Sequence, residues 1–174
     1  MHEAVPPIGL AFWRWAAACL LVLPFVWRPL FRQWGLLRSR FFRLSLLALL
    51  GVSGFNTFVY LGLQTTTATN SVLIQSTMPV QILLLNWLMF RATVGRRELL
   101  SIMLSLVGAA TIISAGSPLR LLEGGWNRGD LWIVGASVNW ALYSLLLRWR
   151  PDGLDPRAFL GFTLWVGCAA LLPF

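Results

Sequence analysis

Apolar residues run along this chain in six long blocks, with arginines in many of the gaps between them. The blocks cover about Ile8–Trp27, Leu44–Leu63, Ala68–Phe90, Leu99–Ala115, Leu131–Leu147 and Ala158–Phe174. A helix needs roughly 20 apolar residues to cross a bilayer core, and roughly 17 is the lower limit. The first three blocks meet the requirement and the last three sit near the limit. Barrel strands would alternate apolar and polar positions over about 10 residues, whereas these blocks are continuous. A helix satisfies its own backbone hydrogen bonds in lipid. The pattern therefore predicts an all-α integral membrane protein with about six transmembrane helices.

Composition agrees. The 174 residues are 57% hydrophobic and 11% charged, against about 25% charged in an average soluble domain. Mean hydropathy is +0.72. A soluble fold of this length leaves too much surface in water to hide such a chain, so the lipid bilayer is its expected solvent.

The formal charge of +8 comes from 14 cationic side chains, all of them Arg. Such a balance can indicate nucleic acid, but here the arginines lie between apolar runs, and nucleic acid is not an expected partner. Arg28, Arg32, Arg38, Arg40 and Arg43 follow the first run, Arg91, Arg96 and Arg97 the third, and Arg148, Arg150 and Arg157 the fifth. The opposite side carries Arg120 and Arg128. The positive-inside rule makes the Arg-rich loops cytoplasmic, in a multi-pass protein expected in a bacterial plasma (inner) membrane. The first run is no cleaved leader, because no basic segment precedes it and Arg14 lies within it.

Enzyme chemistry has little to work with. Cys19 and Cys168 sit inside apolar runs and read as small buried residues. His2 is the single histidine, so neither a zinc site nor a histidine triad is expected. Asp130, Asp152 and Asp155 are isolated and read as solvated or capping residues. No phosphate-binding loop is present, and neither a cofactor nor a metal is expected.

The sixth run resembles the first at an offset of 149: Pro7, Cys19, Pro24 and Phe25 fall on Pro156, Cys168, Pro173 and Phe174. Alternating topology would make the two copies inverted, a recurring plan in secondary transporters; chance likeness of two apolar runs is the alternative. The fifth run would then need a counterpart before Met1, so the sequence reads as a fragment or as one whose start is misplaced.

Several short stretches, in order along nearly the whole chain, resemble one known family. They are Phe12-Trp13-Arg14-Trp15-Ala16-Ala17-Ala18, Gly51-Val52-Ser53-Gly54-Phe55-Asn56, Tyr60-Leu61-Gly62-Leu63, Thr67-Ala68-Thr69-Asn70-Ser71, Met78-Pro79-Val80, Leu106-Val107-Gly108, Gly129-Asp130-Leu131-Trp132 and Trp140-Ala141-Leu142-Tyr143-Ser144. The chain resembles the EamA-type permeases of the drug/metabolite transporter superfamily. The resemblance implies a ten-helix inverted-repeat (5+5) transporter bundle, of which this chain supplies the second to seventh helix. Residues 1–116 would be a partial first repeat lacking its first helix, and 129–174 the start of the second. Where the family often has Glu-Arg, this chain has Phe90-Arg91.

Polar residues in membrane helices are costly and usually face the bundle interior. Ser53, Asn56 or Thr57, Tyr60 and Gln64 recur at helical spacing, either lining a path or holding the bundle together. Asn70, Gln75 and Gln81 flank Pro79, which frees the Gln75 carbonyl; that carbonyl meets solute or is satisfied by a neighbouring Ser or Thr. Arg14 snorkels outward, binds an anion or pairs with a carboxylate. Trp140 and Tyr143, three apart, stack on a planar or cationic solute or simply pack. Ser101, Ser105 and Gly108 form a small-residue stripe that reads as packing.

The expected function is a non-enzymatic membrane permease or exporter of small organic metabolites, using alternating access and a gradient of protons or another coupling ion. One alternative is the small multidrug-efflux type of dimer, which depends on a membrane Glu; the apolar runs here hold no Asp or Glu. The others are an inactive fragment and a membrane enzyme.

Overall fold

The computed structural model describes residues 7–93, 95–113 and 127–171. Every regular element among them is helical. The chain divides into two compact units, Met1–Tyr60 with Leu146–Phe174, and Leu61–Leu145. The repeat partners Pro173 and Phe174, the stub residue His2 and the loop residue Arg120 lie outside the described residues.

The first unit begins with α1 (Pro7–Arg32), α2 (Trp34–Ser39) and α3 (Phe41–Ala48). A π-helical turn at Leu49–Gly54 leads into α4 (Phe55–Leu63). Pro24 and Pro29 lie inside α1 without ending it. Each removes one backbone donor, but membrane helices tolerate proline where neighbouring groups re-satisfy the backbone. The arginines assigned to the first loop therefore need correction. Arg28 and Arg32 are in α1, Arg38 in α2 and Arg43 in α3. Arginine is a good helix former, so the arginines that follow the apolar run do not mark the end of the helix.

The last helix, α9 (Pro156–Ala169), packs along α1 and against α3 and the π turn. Asp155 caps it, its carboxylate accepting from the Arg157 backbone N–H at 2.8 Å. Gly161 lets Val26 approach so closely that a Cβ there would sit 2.9 Å from the Val26 Cβ. Gly167 does the same for Val52, at 2.5 Å. Small residues at such crossings let backbones approach and gain dispersion contacts, which drive helix association in lipid. Ser53 Oγ donates to the Gly167 carbonyl at 2.8 Å, and Phe41 meets Phe162 edge to face. At the far end of this packing, Gln33 Nε2 donates to the Gly153 carbonyl, and its Oε1 accepts from the Asp155 N–H. Two of the Arg-rich connections thus meet at one end of the unit.

The second unit holds α5 (Ala68–Ser76), α6 (Met78–Phe90), α7 (Arg96–Ile113) and α8 (Arg128–Leu146). Thr67 caps α5 by accepting from the Asn70 N–H. Asn127 and Asp130 cap α8 reciprocally: Asn127 Oδ1 accepts from the Asp130 N–H, and Asp130 Oδ2 accepts from the Asn127 N–H. Thr66 Oγ1 donates to Asp130 Oδ1, and Asp130 is 3% exposed. Asp130 is therefore capping, as one reading had it, but buried rather than solvated. Gly62 and Gly129 make this possible, since a Cβ on Gly62 would lie 2.5 Å from Ile133 Cδ1.

Four helices are long and apolar enough to cross a membrane: Phe12–Arg32, Phe41–Leu63, Ala68–Phe90 and Arg128–Trp149. On the described residues four of the six expected spans thus meet this measure. The other two runs continue beyond the described residues. α7 opens with Arg96, Arg97 and Glu98, and α9 has 14 residues. Among the described residues the small-residue stripe of α7 meets no packing partner: Ser101, Ser105 and Gly108 are exposed, and a Cβ on Gly108 would meet nothing within 4 Å.

Candidate functional site

The first unit brings three of the expected path residues together. Arg14 lies two turns into α1. Its guanidinium donates to Asn56 Oδ1 at 2.6 Å, a short bond of the charge-assisted kind. It also stands 5.4 Å from the centre of the Tyr60 ring and 5.7 Å from that of Trp15, within cation–π range.

The π turn sets this geometry. Phe55 donates to the Leu50 carbonyl five residues back, which inserts extra rotation between Ser53 and the residues after it. Ser53 is thereby spent on Gly167, while Asn56 and Tyr60 turn to α1. Asn56 Nδ2 donates to the Val52 carbonyl at 2.7 Å, which fixes the amide so that its oxygen faces Arg14. Asn56 is buried while Arg14 is exposed. No carboxylate contacts Arg14 among the described residues. Of the three readings of Arg14, pairing with a carboxylate finds no counterpart here. The guanidinium is held by neutral partners with donors to spare.

The second unit carries the remaining candidates in local pairs. The helix breaks at Thr77, between α5 and α6, with Pro79 at the start of α6. Ser76 Oγ and Thr77 Oγ1 donate to the carbonyls of Leu73 and Ile74, each at 2.6 Å. Neighbouring hydroxyls thus serve the carbonyls before the break. Gln75 Nε2 donates to Ser71 Oγ, and Gln81 Nε2 to Thr77 Oγ1, each one turn back and at 2.9 Å. Gln81 Oε1 is buried without a partner among the described residues. Asn70 contributes its backbone N–H to the Thr67 cap. The rings of Trp140 and Tyr143 lie 5.3 Å apart at 45°, on the one helix face that their spacing gives them.

Sequence reading missed three features: the Arg14–Asn56 bond, and the buried Gln81 Oε1 and Trp15 Nε1, which have no partner among the described residues. Arg14 and Asn56 are 42 positions apart, beyond the reach of any local pattern.

Helices of span length with polar side chains turned onto one another define the class as a polytopic helical membrane protein. Comparison with known proteins narrows this. The model of the EamA-like transporter family matches residues 1–114, and the chain belongs to that family. It is 30% identical over 174 residues to an uncharacterized transporter of Archaeoglobus fulgidus, covering 99% of this chain and 58% of that protein. It is 27% identical over 169 residues to the uncharacterized transporter YyaM of Bacillus subtilis, covering 95% of this chain and 54% of that protein. A WAT1-related chloroplastic protein of Arabidopsis thaliana is 26% identical over 183 residues, covering 99% of this chain and 42% of that protein. The chain spans about half the length of these relatives. No solved structure matches it.

Proposed function

We propose that this chain is part of a permease that moves small organic solutes by alternating access, driven by a gradient of protons or another ion. Residues 1–116 supply most of a first repeat and 129–174 open a second, inverted one, within a ten-helix bundle whose Arg-rich loops are cytoplasmic. The substrate path includes Arg14, Asn56 and Tyr60, with Asn70, Gln75, Pro79, Gln81, Trp140 and Tyr143 contributing further contacts.

One observation carries this reading: a guanidinium inside a membrane helix is oriented by a buried Asn and an aromatic ring, and meets no carboxylate among the described residues. A structural ion pair would have quenched its charge; a solute site needs that charge available. The orphan Gln81 oxygen adds a buried acceptor awaiting a donor. Membership in a transporter family and four helices of span length agree.

The test is uptake by proteoliposomes containing the protein, across a panel of labelled small organic acids and amines under an imposed ion gradient. At least one solute should accumulate over protein-free vesicles. Arg14→Ala should lower that uptake about tenfold or more while the inserted protein stays near wild-type amount. Wild-type uptake by correctly inserted Arg14→Ala, or equal loss of inserted protein and uptake, would refute the reading.

A further inference from the structure

A second cationic feature lies at the other end of α1, well away from Arg14. Arg28 and Arg32 are four apart on α1, so their side chains share a face. Arg157 stands in the first turn of α9. The three line a groove of about 470 Å³ with Pro24, Phe25 and Asp155, a size within the range of small-ligand clefts, about 300–1,000 Å³.

The charges in this groove do not balance internally. Arg28 and Arg32 are like charges on neighbouring turns, which repel. Arg157 is a cation at a helix N-terminus, where the backbone dipole opposes it. Asp155 supplies the single carboxylate of the groove, and its Oδ1 already accepts from the Arg157 backbone N–H. None of these three guanidiniums is ion-paired among the described residues. Three forked donors around a cleft fit one kind of group closely: a phosphate, whose oxygens accept bidentate bonds from arginine.

The surroundings say how that phosphate is presented. Phe25, Trp27 and Phe31 are 71%, 54% and 60% exposed, and the rings of Trp27 and Phe31 touch at 4.5 Å. Exposed aromatic rings beside arginines are the signature of the headgroup level of a bilayer. A phosphate delivered there has acyl chains that can lie against Phe25 and its neighbours.

We propose that this groove binds the headgroup of an anionic phospholipid, with Arg28, Arg32 and Arg157 on its phosphate. Basic pockets between membrane helices are suited to such lipids. The site is independent of the solute path and stands or falls separately from it.

The test is native mass spectrometry of the detergent-solubilised protein offered phosphatidylglycerol and phosphatidylcholine in equal amounts. The wild type should retain phosphatidylglycerol preferentially. Each of Arg28→Gln, Arg32→Gln and Arg157→Gln should cut that retention about fivefold, the effect of one cation near an anionic surface. The triple variant Arg91→Gln, Arg96→Gln, Arg97→Gln removes three times the charge of any one of these elsewhere and should leave it intact. Equal retention of the two lipids by the wild type overturns the proposal, and needs no variant to fold. So does an equal loss in the control triple variant. Displacement of phosphatidylglycerol by an equal concentration of inorganic phosphate would overturn the lipid as the ligand and name free phosphate instead.

Discussion

Cys19 of α1 and Cys168 of α9 are buried together with Leu164, and they are each other's counterparts at the 149-residue offset between the two helices. Val26 meets Gly161 further along the same contact, so the chain directions of α1 and α9 are opposed. Two equivalent residues that meet across opposed helices lie where a two-fold axis in the membrane plane would pass. The inverted repeat proposed above would produce such a meeting. Both thiols are free. They fill a small apolar space that Phe12, Trp15, Ala16 and Val22 close over.

The glycine where α9 meets the π-helical turn gives the first prediction. In Gly167→Ala the new methyl would sit 2.5 Å from the Val52 Cβ, nearer than real carbon contacts allow. Overpacking of this kind costs about 1–3 kcal/mol, and forcing the helices apart would also stretch the Ser53 bond to the Gly167 carbonyl. Thermal unfolding in detergent should show the loss, and adding Val52→Ala should restore most of it. An undiminished midpoint in Gly167→Ala would mean that the two helices do not cross here.

Asp130 yields a second. Its two oxygens serve Thr66 Oγ1 and the Asn127 N–H, and all of this is buried or nearly so. Asp130→Ala leaves both donors unsatisfied, at about 1–3 kcal/mol each. Asp130→Asn keeps an oxygen for one of them and should cost less. The order Ala worse than Asn, measured as inserted and heat-resistant protein, is the expected result. The reverse order, or no effect of either, would contradict the capping role.

Asn56 offers a third, with an inverted sign. Asn56→Asp puts a carboxylate where Oδ1 now accepts from Arg14 at 2.6 Å. The resulting ion pair should hold the helices at least as well as the present bond while quenching the free charge. The variant should therefore accumulate like wild type and transport poorly. Normal transport by Asn56→Asp would show that the available charge of Arg14 is not used.

Much of this was legible in the chain. The block Ala68–Phe90 is a helical span with the bounds that its apolar run predicts, broken at Thr77 beside Pro79. The contact of Trp140 with Tyr143 follows from spacing alone. What the pattern hid had physical causes. Apolar runs report where lipid is, whereas helices end where caps and backbone partners are found; α1 therefore continues through two prolines to Arg32. The π turn leaves no mark in a run of Leu, Gly, Val and Ser, yet it decides that Ser53 faces Gly167 and Asn56 faces Arg14. Asp130 read as isolated because its partners, Thr66 and Asn127, carry no apolar signal.

The most direct test of the solute path is aqueous reach. Tyr60→Cys and Asn56→Cys, made in a Cys19→Ala, Cys168→Ala background, can be compared with Leu21→Cys on the 75% exposed face of α1. A membrane-impermeant charged thiol reagent should label positions 56 and 60 much faster than position 21, and a transported solute should slow that labelling. Labelling at 56 and 60 no faster than at 21, with solute making no difference, would contradict the account.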